Sequence, residues 1–371
     1  MKKNNKLVFF YPSIEIGGLT KNLFSLVNSL SKKNYHIYFI TFKDNKNNQT
    51  LKKLYPFSKK IKILTPKYFL FTNNRYLKYF FCFLTLITFC LKNKYLIISF
   101  QSNVLSILAG ILTDNKVIIR CNTAPSKYIS SYIKKFFFKL VYSRADKILV
   151  TSFDFQKEIK KYFNLKSIVH RQSLDASKIK KKSKEKINFK FFQKYKYLKI
   201  INVGRLTDQK DLITLLKAFQ KLIKIRKARL LMVGNGTDYA KIKNFISKNN
   251  LKDNVKIINF QTNPYKYISL SDIKVLSSKF EGNPNILLEI ACLKKLIISS
   301  NCKVGPSEIL QRGKGGLLYK VGDYNKLYNL LKNVKINDIY TKKKVNFTYN
   351  YVKINFKKDI SNTFINILKE I

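Results

Sequence analysis

Two glutamates, Glu281 and Glu289, stand eight positions apart in the stretch Phe280-Glu281-Gly282-Asn283-Pro284-Asn285-Ile286-Leu287-Leu288-Glu289. A Gly-x-Pro turn and a helix start separate them. Pro284 suits the first helical position, where no backbone N–H is needed, and Asn283 before it is a favoured N-cap. Glu281 then falls in the loop ahead of the helix and Glu289 on its second turn. Free N–H groups at such a helix start, from Gly282 to Asn285, receive anions or sugar hydroxyls, here flanked by two carboxylates. The competing reading is a surface helix with two solvated glutamates. The chain has only seven glutamates, so a chance pair in this setting is less common than usual.

A second group is cationic. Gly204-Arg205-Leu206-Thr207-Asp208-Gln209-Lys210-Asp211 directly follows an apolar run ending at Val203. Glycine lets the chain turn tightly at a strand end. Arg205 and Lys210 then place two cations at the mouth of a sheet, near a helix expected from about Asp211. Such a pair stabilises a departing diphosphate. With 73 Lys and Arg in the chain, a single lysine says little, whereas an arginine after a strand-end glycine says more. Val233-Gly234-Asn235-Gly236-Thr237 is another strand-to-helix turn, whose glycines admit either a nucleotide or the neighbouring strand. Gly17-Gly18-Leu19-Thr20 follows the first strand, where a double glycine either brings N–H groups to a phosphate or acceptor or only turns the chain. It lacks G-x-G-x-x-G, so it is not the dinucleotide fingerprint. Gly305-Pro306-Ser307-Glu308 suggests no function by itself.

These groups need a frame, and strand-like and helix-like runs alternate through nearly the whole sequence. Residues 6–11, 36–41, 95–100, 116–119 and 147–151 read as strands in the first half. Residues 198–203, 230–233, 255–259, 273–276 and 296–299 read as strands in the second, with helices between. Alternation of this kind argues for parallel sheets covered by helices on both sides, with ligands at the carboxyl ends of the strands. Residues 178–199 hold ten lysines and one glutamate and read as an exposed linker, with nucleic-acid binding through the interleaved aromatic residues as the weaker alternative. The expected division is residues 1–177 for the first domain, 178–196 for the linker, 197–345 for the second domain and 346–371 for a C-terminal helix.

The net charge of +53 predicts attraction to polyanions, anionic lipid or nucleotide diphosphates. Lys, Asn, Ile, Phe and Tyr are enriched together, however, and all have A/T-rich codons, so much of that charge is compositional. Five cysteines without C-x-x-C spacing give no zinc or disulfide framework and suit a reducing compartment. The N-terminus reads as a strand and turn, not a cleaved signal. Neither 79–91 nor 95–113 makes a convincing membrane span. The chain is therefore expected in the cytoplasm, soluble or peripheral on the inner face of the cell membrane. Basic, aromatic helices around 75–91 and 127–142 suit an anionic membrane surface as well as ordinary packing.

Taken in order, "GGLTKNLFSLVNSL", "YSRADKILVTS", "INVGRLTDQKD", "LLMVGNGTDYAKI", "SSKFEGNPNILLEIACLKKLIISS" and "VGPSEIL" resemble glycosyltransferase family 4 over almost the whole chain, and the two glutamates match the E-x7-E arrangement of retaining GT-B enzymes. The resemblance implies an α/β GT-B fold, two Rossmann-like domains facing a central cleft, with the C-terminal helix crossing back to the first domain. It implies transfer of a sugar, with retention, from a nucleotide-diphosphate sugar to a glycan or lipid-linked acceptor in surface polysaccharide or lipopolysaccharide synthesis. By position, Arg205 and Lys210 would hold the diphosphate and Glu289 the ribose. Glu281 and the backbone of Gly282, Asn283, Pro284 and Asn285 would meet the donor sugar, with Gly204, Gly234 and Gly236 around it. Gly17 and Gly18 would line the acceptor side.

The sequence departs from the family in two places. Members often carry a histidine in the first domain near the reacting sugar, and neither His36 nor His170 fits that place, so Arg120 or Asn122 is expected to substitute. Asn283 stands where an aromatic residue is common. No Asp-x-Asp occurs, so no metal and no other cofactor is expected. The alternatives are an idle GT-B scaffold binding polyanions, nucleic acid or membrane through its charge, and a nucleotide-sugar epimerase.

Overall fold

The structure is a computed structural model that describes residues 5–15, 17–42, 56–66, 74–193 and 197–371. Tyr195, one of the aromatic residues between the lysines of 178–199, lies outside them. The chain divides into two compact units, Met1–Ser173 with Asp359–Ile371, and Leu174–Lys358.

In the first unit, β1 (Lys6–Phe10), β2 (His36–Ile40), β3 (Ile61–Leu64), β4 (Leu96–Ser99), β5 (Lys116–Arg120), β6 (Lys147–Val150) and β7 (Ile168–Val169) form one parallel sheet in the order β3-β2-β1-β4-β5-β6-β7. In the second, β8 (Leu198–Val203), β9 (Ala228–Val233), β10 (Val255–Ile258), β11 (Ile273–Leu276), β12 (Leu296–Ser300) and β13 (Leu317–Tyr319) form another in the order β10-β9-β8-β11-β12-β13. Both sheets are parallel throughout the recorded pairings. The central strands are nearly continuous apolar runs, as required when helices cover both faces. In β1, for example, Leu7 to Phe10 are all fully buried.

Each sheet reverses its order of winding once, between β1 and β4 and between β8 and β11. At such a point successive crossovers leave in opposite directions, and the loops beyond the strand ends diverge to leave a crevice. In the second unit the helices Leu212–Ile223, Tyr239–Lys248 and Tyr324–Asn333 pack on one face of the sheet. Asn285–Cys292, Tyr265–Ser269 and Ile339–Asn355 pack on the other.

Three short strands, β3, β7 and β13, were not foreseen; all lie at sheet edges. The lysine-rich segment is not an exposed linker. Ala176–Ser183 is a helix, Lys190–Phe192 a 3-10 turn, and Ile179, Phe189 and Phe192 are buried with Tyr265 and Tyr267 in the second unit's core. Lysines point outward while a sparse apolar set faces in, a pattern that a mean of charge conceals. The C-terminal region is likewise two helices instead of one. Ile339–Asn355 belongs to the second unit, and Ser361–Lys369 to the first. In the first unit Phe364 and Ile367 pack beside Leu23, Phe24 and Val27 of the helix Gly18–Ser31.

Candidate active site

The second unit's site begins with how β8 and β11 part. They pair only at Ile200↔Ile273 and Ile201↔Lys274. Beyond that, side chains bridge the widening gap: the Asn202 amide donates to the Val275 carbonyl at 3.0 Å, and Lys274 Nζ to the Val203 carbonyl at 3.3 Å. The loops that leave these two strands, 204–211 and 277–284, carry both charged groups singled out above.

They are joined by a network. Lys210 Nζ donates to Glu281 Oε1 at 2.5 Å, with only 15% and 7% of the two side chains exposed. Ser278 Oγ donates to the same oxygen at 2.6 Å. Gln209 accepts from Arg205 Nη2 at 3.4 Å and donates to the Phe280 carbonyl at 3.0 Å, while Ser277 Oγ donates to the Lys210 carbonyl at 2.7 Å. Arg205 itself is exposed. The result is a cation held on a carboxylate within the loops, and a second cation presented to solvent beside it.

Local sequence explains the loop shape. Asp211 sits at φ 44°, caps the helix Leu212–Ile223 and accepts from the Thr214 hydroxyl at 2.7 Å. A side chain that bonds to nearby backbone tolerates this left-handed position. The G-x-G turn resolves toward packing. A Cβ on Gly234, at φ 148°, would lie 1.9 Å from the Gly204 carbonyl oxygen, and one on Gly236 would lie 2.1 Å from that of Leu206. Both glycines therefore serve the close approach of the β9 loop to the β8 loop, and Gly204 donates to the Val233 carbonyl at 3.0 Å.

The Glu281–Glu289 segment differs from expectation by one residue. The helix spans Asn285–Cys292 with Pro284 at the N-cap and extended, so Pro284 is not the first helical residue and Asn283 is not the cap. Pro284 fixes φ at −70° and accepts the Leu287 N–H through its carbonyl at 3.0 Å. Glu289 is on the second turn, only 9% exposed, and accepts from Tyr265 Oη at 3.0 Å. Neither glutamate is a solvated surface group. Gly305, at φ 96°, supports this loop from behind: a Cβ there would meet Pro284 Cδ at 2.6 Å.

In the first unit, Gly17 and Gly18 follow β1 at that sheet's reversal point. Gly17 is extended (φ 172°), and nothing lies within 4 Å of where its Cβ would be. Tight turning is therefore not what glycine supplies here. Asn122 donates its amide to the Phe100 carbonyl at 2.8 Å, tying β4 to β5. Arg120 does not reach an acceptor surface. It is 2% exposed, its Nη1 lies 2.9 Å from His170 Nδ1, and its guanidinium covers the Phe100 ring. Burial lowers the Arg120 pKa to about 10. Burial first, then the Arg120 charge, lowers the His170 pKa to about 3.

Sequence reasoning missed Gln209, Ser278, Tyr265 and Lys274. The last is the most unusual: Lys274 is fully buried in β11. Burial foremost, and the Lys210 charge after it, pulls its pKa well below the ordinary lysine value, with Glu281 opposing. Among the described residues no group of three or more His, Cys, Asp or Glu is arranged to hold a metal ion. All five cysteines are buried and free.

Residues 183–352 match the model of the family described as Glycosyl transferases group 1. An uncharacterized glycosyltransferase of Methanocaldococcus jannaschii is 33% identical over 180 residues, covering 47% of this chain and 44% of that protein. The N-acetylgalactosamine-N,N'-diacetylbacillosaminyl-diphospho-undecaprenol 4-alpha-N-acetylgalactosaminyltransferase of Campylobacter jejuni is 28% identical over 229 residues, 60% of each. The chain thus spans about half the length of the curated relatives it matches. Among solved structures, Anabaena HepE in complex with UDP superposes with a TM-score of 0.79 at 15% identity, covering 99% of this chain and 100% of that one. Sucrose-phosphate synthase from Thermosynechococcus elongatus superposes with a TM-score of 0.81 at 16% identity, covering 98% of each. Residues 183–352 are thus similar to the group 1 glycosyl transferases, and the chain's two Rossmann-like units have the GT-B fold.

Proposed function

We propose that the protein is a retaining glycosyltransferase of the hexosyltransferase type, which moves a sugar from a nucleotide-diphosphate sugar to a glycan or lipid-linked acceptor in surface polysaccharide or lipopolysaccharide synthesis. The observation that carries this reading is the Lys210–Glu281 pair with Arg205 beside it, at the carboxyl ends of β8 and β11. Breaking the bond between the sugar's anomeric carbon and the diphosphate leaves negative charge on the departing oxygens. Fixed cations that meet that charge accelerate the step, because they need no reorganisation as it develops. Glu281 orients Lys210 and, with the backbone of 282–285, faces the donor sugar. Glu289, steadied by Tyr265, takes the ribose. In this reading the two cations take the role at the diphosphate that a metal ion would otherwise have.

The relatives support a donor class and an acceptor for this reading. HepE was solved with UDP, which favours a uridine donor. The Campylobacter relative is named for a diphospho-undecaprenol acceptor, which favours a lipid-linked one.

The test is a thermal-shift titration with UDP, GDP, ADP and their common sugar conjugates, for the protein and for Arg205→Ala. A ligand at roughly 100 times its Kd adds about 2.7 kcal/mol. Stabilisation by one nucleotide family, lost in Arg205→Ala, is the expected result. Equal shifts with every polyanion, untouched by the substitution, would replace the transferase reading with that of a basic polyanion binder.

A further inference from the structure

Lys274 lies in β11, fully buried, with Ile201 of β8 and Ile297 of β12 as its cross-strand neighbours. Both neighbours are apolar and closed to solvent. Alternation along the strand puts Lys274 on the same face as Leu276, under the helix Asn285–Cys292. An ammonium carries three N–H donors and no acceptor. Among the described residues Lys274 Nζ has one hydrogen-bond partner, the Val203 carbonyl at 3.3 Å, and forms no ion pair. A charged Lys274 would leave donors unsatisfied and a charge desolvated, and a group so placed sheds its proton instead. Burial, followed by the Lys210 charge, accordingly holds its pKa well below the ordinary lysine value, against the pull of Glu281.

This amine sits immediately behind the cations of the candidate site. Val203, whose carbonyl it holds, is the last residue of β8 before Gly204 and Arg205. The charged groups that act on it are Lys210, from the loop after β8, and Glu281, from the loop after β11. Those two neutralise each other in their 2.5 Å contact. Cys302, in the loop after β12, feels the same pair, but burial pushes its thiol up to about 12, so it stays protonated. On the covering helix, Glu289 is engaged by Tyr265. The empty site is therefore balanced with Lys274 neutral. A nucleoside diphosphate on Arg205 and Lys210 upsets that balance, because Glu281 already opposes one of the two cations. Lys274 is the group behind them that can gain a positive charge.

We propose that Lys274 takes up a proton from solvent when a nucleoside diphosphate binds, supplying a further cation behind the Lys210–Glu281 pair only while the anion is present. The inference rests on the reading that Arg205 and Lys210 hold the diphosphate. One N–H bond forms, the buffer supplies the proton, and no other bond changes. Lys274 does not touch the ligand and is a positioning residue. Once charged, it offsets Glu281 and leaves the Lys210 charge to the diphosphate.

Isothermal titration calorimetry in two buffers of different ionisation enthalpy counts the protons bound per nucleotide. UDP, GDP and ADP are each titrated at pH 7.5 and 8.5, where phosphates with a last pKa of about 6 are already ionised. The protein should take up a measurable fraction of one proton. Lys274→Met, an apolar replacement of similar length that should fold, should still bind but take up far less. The protein's Kd should rise with pH, by at most about tenfold per pH unit for one whole proton. That of Lys274→Met should be weaker near neutral pH and flatter. Binding without proton uptake by the unsubstituted protein would overturn the proposal. So would equal uptake by Lys274→Met, or Kd curves of the two proteins that run parallel, as a purely structural lysine would give. Absence of binding by all three nucleotides would instead remove the donor reading itself, and the proposal with it.

Discussion

Lys210 Nζ and Glu281 Oε1 stand 2.5 Å apart, although 71 positions separate them and they leave different strands of the sheet. The contact closes the loop after β8 onto the loop after β11, and Ser278 and Gln209 hold it on either side. The two residues therefore act together. Glu281→Gln removes the charge that orients the lysine while keeping the shape and much of the hydrogen bonding. Turnover should fall by on the order of 10²–10³, the usual effect of losing one preorganised electrostatic group. Lys210→Ala should lower turnover at least as far and also reduce stabilisation by the nucleotide. The double variant should be little worse than Lys210→Ala alone in kcat. Additive losses would mean that the groups act separately.

That pairing was half legible. The position of Gly204 and Arg205 after an apolar run, and of Glu281 before a helix, could be read because strand ends and helix starts have local signatures. The contact between Lys210 and Glu281 is tertiary and left none. Lys274 was hidden for another reason: in a chain with 73 Lys and Arg, one more lysine is no signal, and a lysine inside an apolar strand reads as a flaw in the pattern. Arg120 was misplaced because its role was inferred from position along the chain, whereas Phe100, His170 and the C-terminal segment decide its environment. The lysine-rich segment was misread because its few apolar residues, Ile179, Phe189 and Phe192, do the packing.

Lys274 leads to a stability prediction. Its folded pKa lies below its unfolded one, so the unfolded chain binds the extra proton and stability rises with pH toward the ordinary lysine value of 10.5. Methionine has similar length and no charge. Lys274→Met should be neutral or stabilising, since a well-packed apolar side chain commonly does as well as a buried ionic group. It should also flatten the alkaline rise. Urea midpoints at neutral and alkaline pH check both points. A strong loss of stability in Lys274→Met would show that its bond to the Val203 carbonyl outweighs burial.

His170 works in the acid range with the same sign. Its folded pKa of about 3 is far below the unfolded value near 6.5, so its contribution is complete above that value and is lost as pH falls. Between pH 6.5, where the unfolded imidazole is already half protonated, and pH 4.5 the loss should be about 2 kcal/mol. Nε2 of His170 faces the Ile360 carbonyl at 3.3 Å, and its ring meets Phe364 edge-on, so protonation should loosen the C-terminal helix of the first unit. Hydrogen exchange of residues 361–369 should rise at pH 4.5 before the second unit responds. His170→Gln should remove most of this pH dependence.

Metal dependence follows from the cations. Arg205 and Lys210 stand where the diphosphate is expected, and the sequence has no Asp-x-Asp. Turnover should survive EDTA and gain little from added manganese or magnesium. Activity that vanishes in EDTA and returns with manganese would mean that a metal ion, and not these two cations alone, meets the diphosphate.

Two glycines separate folding from function. Gly234→Ala would force a Cβ to 1.9 Å from the Gly204 carbonyl oxygen at φ 148°, and the neighbour is backbone, which cannot swing away. It should cost roughly 2–3 kcal/mol or more, the combined effect of a strained backbone and overpacking. Gly17 is extended and has open space at its Cβ position. Gly17→Ala should leave the melting temperature almost unchanged, because neither conformation nor packing opposes it. If the space over Gly17 serves the acceptor, KM for the acceptor should rise in Gly17→Ala while the donor-induced thermal shift stays as it was. An unchanged acceptor KM would mean that the open space is not used, and that the double glycine after β1 belongs to the fold alone.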